Sequence, residues 1–219
     1  MRAFPALLAL ASTAAADGAK PCFDTFNGQP FETVCYKTLA AVNASGGALT
    51  VRAYEGAGAE AHMVSYAAPA TVTTYQEALM LTSFYVIYYF TNHSLAASRT
   101  VPLTLRPPTS GLNNAWVAQM ALAPSLWPPG STPPPPLAPT QVSPRGRTTL
   151  ASLRVTLQQS PQPSDFEQLC AQLRAGVQAE LPAWSVDEAS PISPTHARYS
   201  GEEWEGPYEV ECWVGVVKV

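Results

Sequence analysis

The sequence predicts an α+β fold in which a βαββ unit occurs twice and its two copies share one barrel or curved sheet. Three observations carry this. Short segments alternate apolar and polar residues as half-buried strands do, Leu49 to Tyr54 and Thr148 to Leu157 most clearly. Two stretches, Thr73 to about Phe90 and Ser164 to about Leu181, have the caps and spacing of helices. The order strand, helix, strand, strand then recurs on either side of a proline-dense stretch.

The ends and the composition set the compartment. Arg2, the apolar run Phe4 to Ala11 and the small residues Ala14 and Ala16 make residues 1–16 read as a cleaved secretory signal peptide. Residues 17–219 then form one secreted, extracellular domain, and a hydrophobic share of 47% is ample for its core. Without Arg2 the chain keeps 11 basic against 16 acidic side chains, a net charge of −5, and it has no basic run, so nucleic acid is not an expected partner. The apolar segment Ala78 to Phe90 is too short to cross a bilayer core of about 30 Å, so no transmembrane segment is expected.

Four cysteines, Cys22, Cys35, Cys170 and Cys212, predict two disulfides in an oxidising compartment. Three pairings are open. The local one, Cys22 with Cys35 and Cys170 with Cys212, is favoured because short loops close easily. Asn43 and Asn92 stand in glycosylation acceptor triplets that fit the same compartment.

In chain order, a Gly- and Ala-rich connection from Asn43 to Ala48 leads into the strand Leu49 to Tyr54. Ala61 to Ala67 is a second strand or a continuation of the first, with the turn at Gly56-Ala57-Gly58. Thr73 or Thr74 caps the first helix, with Glu77 placed to satisfy free backbone donors. Thr100 to Leu105 is a strand in which Pro102 indicates an edge or a bulge, and Trp116 to Leu122 is the next. The proline-rich stretch at about 124–144 reads as a surface loop within one domain, with a linker or a docking site as alternatives. Ser164 caps the second helix, whose stripe holds Leu169, Cys170, Leu173 and Val177, and His196 to Ser200 and Tyr208 to Val214 close the chain as strands.

Candidates for chemistry are few. His62, His93 and His196 lie in no nucleophile or zinc motif, and they are too dispersed in sequence to form a metal site. His62, on a strand face, is the one expected to point inward; His93, inside an acceptor triplet, is expected to face solvent. Glu202, Glu203 and Glu205 around Trp204 read as a solvated hairpin loop. The unusual element is the first helix, whose second half, Phe84 to Phe90, is apolar or aromatic on nearly every side. It is covered by the proline-rich loop, lines a pocket or forms an interface.

Leu49 to Glu55 resembles the Y-E-V-R-x-Y strand of the SOUL heme-binding protein family, and Tyr75-Gln76-Glu77-Ala78-Leu79 is similar to its helix start. Arg99 to Leu103 is similar to the family's M-T-x-P-V segment, and Tyr208 to Val214 resembles its final strand. The likeness runs from about Phe31 to Val217. It implies a twisted β-barrel of two pseudo-repeated βαββ halves flanked by two helices. It further implies non-catalytic binding of heme or a related tetrapyrrole in a cleft beside the first helix. Ala53 stands where some members have a histidine, Met80 and Tyr88 stand where others have basic residues, and no Lys or Arg lies between Arg52 and Arg99.

These residues support three function classes. The first is a secreted binding protein, not an enzyme, for heme, another tetrapyrrole or some other large apolar ligand, with Tyr54, Met80, Phe84 and Tyr88 as wall residues. The second is an extracellular interaction or structural protein that meets a protein partner at the proline-rich loop or the aromatic helix. The third is a hydrolase using Glu77.

Overall fold

A computed structural model describes residues 21–26, 29–44, 47–55, 60–95, 100, 102–108, 114–128, 130–190, 192, 194–199 and 207–219. The signal segment, the turn at residues 56–58 and the acidic group at residues 202–205 lie outside the described residues. So do Arg99 and Val101 of the family-like segment.

The protein is a mixed α+β fold with two helices on one large antiparallel sheet. Its elements are β1 (Cys22–Phe26), β2 (Gln29–Thr33), β3 (Lys37–Ala44), β4 (Gly47–Tyr54), β5 (His62–Ala67), α1 (Tyr75–Asn92), β6 (Leu103–Arg106), β7 (Val117–Ala121), β8 (Gln141–Pro144), β9 (Thr148–Leu157), α2 (Pro163–Glu180), β10 (Trp184–Val186), β11 (Thr195–Arg198) and β12 (Tyr208–Lys218). β1 and β2 form a separate hairpin. The other strands lie in the order β3-β4-β9-β12-β11-β6-β7-β5-β8, with β10 paired to β12. Each strand-helix-strand-strand stretch lays its strands down alike, as β9-β12-β11 and as β5-β7-β6, and the two meet at the β11–β6 pair.

Several sequence expectations are corrected by this order. The segment before Leu49 is mostly strand, since β3 and the start of β4 take up residues that read as a Gly- and Ala-rich connection. Gly47 allows the close approach there, because a Cβ would collide with the Arg154 carbonyl oxygen. β5 does not extend or neighbour β4. β4 pairs with β3 and β9, whereas β5 pairs with β7 and β8. β6 is an interior strand, and Pro102 precedes it, where no ladder donor is required. The proline-rich stretch ends in the edge strand β8. α2 starts at Pro163, two residues earlier than a Ser164 cap allows, with Gln162 as N-cap and its backbone N–H donating to Asp165 Oδ2 at 2.7 Å.

The sheet cannot be flat. Only residues 145–147 join β8 to β9, so Pro144 and Thr148 are at most about 14 Å apart. In a flat sheet, six strand spacings would separate those strands by about 29 Å. The sheet therefore curls until β8 approaches β9. Its ladder stays open among the described residues, because β3 and β8 end the path without pairing with each other.

Both helices cover the outer face. α1 packs on β5 and β7, and α2 on β9, β10 and β12. The core between them buries Tyr75, Leu79, Val86, Tyr89 and Phe90 from α1 and Phe166, Leu169, Leu173 and Val177 from α2. Thr74 caps α1 as the sequence indicates, its Oγ1 accepting from the Glu77 N–H at 3.3 Å. The proline-rich stretch partly covers the apolar half of α1: Tyr89 Oη donates to the Pro134 carbonyl at 2.9 Å, and Trp127 and Leu137 pack on the core.

Cys22 is bonded to Cys35 and Cys170 to Cys212, the local pairing. The second bond ties α2 to β12 across 42 residues, in the core. Replacing Cys170 and Cys212 with alanine is expected to lower unfolding stability by about 4 kcal/mol, and the Cys22/Cys35 pair by about 3 kcal/mol. Denaturant titration of the two variants checks the order.

Candidate functional site

Opposite the helices, the inner face of the sheet is built from alternate residues of the same strands. On β4 and β9, Leu49, Val51, Ala151 and Leu153 point to the helices, while Thr50, Arg52, Tyr54, Ser152 and Arg154 point inward. On β12, Val210, Cys212 and Val214 face α2, and Glu209, Glu211 and Trp213 face inward.

Glu211 is fully buried and sits at the centre of a polar cluster. Arg52 donates to both carboxylate oxygens, Nη1 to Oε2 at 2.9 Å and Nη2 to Oε1 at 3.0 Å. Ser152 Oγ donates to Oε2 at 2.9 Å, and so does Trp213 Nε1. Burial pushes the Glu211 carboxyl up, but the Arg52 charge and hydrogen bonds, with those of Trp213 and Arg154, hold it below the usual carboxylate range. One strand position along, Arg154 binds both oxygens of Asp24 at 2.9 Å and also pairs with Glu209, its guanidinium lying 4.2 Å from the Tyr199 ring centroid. Asp24 belongs to the β1–β2 hairpin, so this contact draws the disulfide-closed hairpin over the inner face. Glu32 holds its other side, accepting from Ser125 N and Oγ at 2.7 and 2.6 Å.

Beside this cluster is a cavity of about 250 Å³. Residues from both ends of the sheet path line it: Tyr54 of β4, Met63 of β5, Thr104 of β6, Gln119 and Ala121 of β7, Ser143 of β8, Thr195 of β11 and Trp213 of β12. Val34 after the hairpin, Ile192, and the arginines Arg106, Arg145 and Arg147 complete the wall. The curl of the sheet creates the space, because β4 and β8 close on one enclosure only when the sheet bends. Arg145 stacks on Tyr54, with its guanidinium carbon 3.6 Å from the ring centroid. Burial lowers the Arg145 pKa and Tyr54 partly offsets this.

The structure does not bring the four expected wall residues together. Tyr54 is buried in this inner cavity, whereas Met80, Phe84 and Tyr88 are 52%, 60% and 44% exposed on the outer side of α1. α1 contributes nothing to the cavity wall. Sequence reasoning missed Met63, Gln119, Trp213 and the three arginines. One signal was legible, the Arg145-Gly146-Arg147 triplet directly after the prolines. Another was the period-2 placement of Ser152 and Arg154, and of Glu209 and Glu211, inside otherwise apolar strands.

The histidines also change places. His196 is the buried one, 6% exposed on the helix face, its ring stacked on Phe166 at 4.5 Å, and Nδ1 has no hydrogen-bonding partner among the described residues. His62 is half-buried on β5, and His93 is not solvent-facing but half-buried, its ring 4.6 Å from that of Tyr89. None of them lines the cavity, and no cluster of metal-ligating side chains occurs among the described residues. A heme therefore finds no histidine ligand there, and the volume is below the ~300–1,000 Å³ of sites that enclose drug-sized ligands. The residues do not fit an enclosed heme. Glu77 is exposed and held by Thr74, whose Oγ1 donates to Glu77 Oε2 at 3.0 Å, which leaves the hydrolase reading without its residue. Asn43 and Asn92 are exposed, and no helix among the described residues is long and apolar enough to cross a membrane.

Glu211→Gln is expected to lose about 3–5 kcal/mol of stability, since it leaves Arg52 buried and charged, while Arg52→Met with Glu211→Met recovers most of that loss. A double-mutant cycle by denaturant unfolding measures the coupling. Burial lowers the His196 pKa from 6.5 to about 4. The folded state thus binds this proton less readily than the unfolded chain, so stability is full above the ordinary pKa and falls by about 3 kcal/mol as pH drops toward the folded value. His196→Phe is expected to flatten that part of the stability profile. Glu211, a carboxylate, acts with the same sign: its contribution is full above the ordinary carboxylate pKa, declines as pH falls below that value and is gone once pH has dropped through its own depressed pKa.

No family model matches the chain, and a search of curated proteins finds no match either. Solved structures offer a distant likeness. The SAV2435 protein bound to tetraphenylphosphonium aligns with TM-score 0.40 and 11% identity over 72% of this chain and 89% of its own. A bacterial transcription regulation protein from Staphylococcus aureus MU50, so described provisionally, aligns with TM-score 0.38 and 13% identity over 84% of this chain and 99% of its own.

Proposed function

We propose that this chain is a secreted, non-enzymatic binding protein whose site is the inner cavity of the curved sheet. The cavity carries the reading: an enclosure with an aromatic and aliphatic wall and a few convergent polar groups is the usual form of a small-ligand site. Binding rather than catalysis is favoured because its described lining has hydroxyls but no His, Cys, Asp or Glu to activate them. Two disulfides support an oxidising destination. Barrel-like closure of the sheet around the cavity, and kinship with the SOUL family, belong to the same proposal. Their support is the shared strand order of the two βαββ stretches and the succession of family-like segments. The ligand is an apolar body smaller than a whole tetrapyrrole.

A second reading, an interaction protein, has one observation in its favour. Met80, Phe84 and Tyr88 form an exposed stripe on α1, with the Phe84 and Tyr88 rings stacked at 5.9 Å.

Titration with N-phenyl-1-naphthylamine, a neutral dye that brightens in apolar sites, tests the proposal. Saturable binding to the secreted protein is expected, and Gly146→Trp should abolish it by filling the cavity mouth. A Cβ at Gly146 meets nothing within 4 Å, so the substitution need not strain the fold. No saturable response to the dye, or a response that Gly146→Trp leaves unchanged, overturns the cavity reading and favours the interaction protein.

A further inference from the structure

We propose that the cavity selects an amphipathic anion: a small acid, carboxylate or its oxyanion equivalent, whose charged head lies against the Arg145-Gly146-Arg147 connection and whose apolar body enters between Tyr54 and Trp213. This rests on the cavity being a ligand site and adds the sign of the ligand's charge.

The charges on the inner face are segregated. The acidic groups Glu209, Glu211 and Asp24 are all engaged by Arg52 and Arg154. The cavity beside them has three arginines in its wall and no acidic residue among its described lining. Neither Arg145 nor Arg147 takes part in a salt bridge among the described residues; those bridges use Arg52, Arg154 and Arg174. A cavity lined by one sign of charge and apolar walls focuses its field on an entering ligand, even in a chain whose net charge is −4.

Arg145 is also held in place. Its backbone N–H donates to the Ala61 carbonyl at 2.7 Å, and Tyr54 supports one face of the guanidinium. A half-buried guanidinium with no carboxylate partner among the described residues is unfavourable, and the Tyr54 ring and hydroxyl offset only part of this, so an oxyanion supplies a charged partner. Gly146 adds access: the open space around its Cα lets an oxyanion approach the connection between the two arginines. Ala121 and Ile192, with the Tyr54 and Trp213 rings, form the wall for the apolar body. A cation finds the reverse, because Glu211, the nearest fully buried carboxylate to Trp213, is already committed to Arg52, Ser152 and Trp213.

The test is displacement of N-phenyl-1-naphthylamine from the full secreted protein by three ligands of one chain length: octanoate, octan-1-ol and octylammonium. Octanoate is expected to displace the dye at a concentration about tenfold below octanol, with octylammonium weakest. That advantage should shrink as salt is raised from about 50 to about 500 mM. Arg147→Gln, at an exposed position, and Arg145→Gln should each reduce the advantage of octanoate over octanol, both measured on the same variant. Octanol matching octanoate, or octylammonium exceeding both, overturns the anion assignment while the dye signal upholds the cavity site. Failure of the dye itself to bind overturns both, and Arg147→Gln covers the case in which Arg145→Gln does not fold.

Discussion

The buried ion pair of Arg52 and Glu211 is the interaction on which the rest of the sheet depends. It spans β4 and β12 across the intervening β9, which adds Ser152 to the same carboxylate. Two charges withdrawn from water are tolerable only when their geometry is good and their remaining hydrogen-bonding capacity is met, and here four donor contacts meet it. The pair makes the three strands intolerant of slippage. A shift of one residue would turn Arg52 or Glu211 toward the helices, among Leu153, Phe166 and Leu173, with nothing there to neutralise them. Leu49, Val51 and Cys212 would turn inward in exchange. The disulfide at Cys212 enforces the same sidedness from the opposite face.

Given that sidedness, the short β8–β9 connection decides the shape. By drawing one end of the sheet toward the other it makes the helix-free face concave, and concavity converts a row of alternate side chains into an enclosure. The β1–β2 hairpin borders the cavity at Thr33 and is fixed by Asp24 on Arg154 and Glu32 on Ser125. Its small size explains its staple. A five-residue hairpin arm has too little apolar surface to stay ordered by packing, and the Cys22–Cys35 bond limits its unfolded freedom instead.

The aromatic helix thus has a structural task on one side and an open one on the other. Tyr89 and Phe90 are wholly buried in the core, and the Tyr89 hydroxyl is used on the proline-rich cover. That cover does not reach Met80, Phe84 and Tyr88. An apolar helix with a single acidic residue, Glu77 in its first turn, is consistent with a surface that is partly wrapped by its own chain and partly exposed. The cavity lies elsewhere, on the far side of the sheet.

Local rules read well in this sequence because their causes are local. Alternation in Leu49 to Tyr54 and Thr148 to Leu157 follows from the two-residue period of a strand, and the Thr74–Glu77 cap from donors within one turn. The short disulfide loops follow from the low entropy of closing them. Periodicity also shows which residues share a face, so Arg52 and Tyr54, or Glu209 and Glu211, could be grouped by eye. It cannot show what that face meets. Nothing in β4 alone reveals that β9 and β12 lie beside it, or that β5 lies at the opposite end of the path, because pairing is chosen by contacts between residues far apart in sequence. For the same reason Tyr54 parted from Met80, Phe84 and Tyr88, His196 rather than His62 became buried in the core, and the Arg145-Gly146-Arg147 connection became a cavity wall. The sequence by itself determined both helices, the principal strands and their two-sided patterns, but not β1, β2, β3, β8 or β10. Only the curled sheet decided which side encloses space, since that depends on how far a three-residue connection can reach.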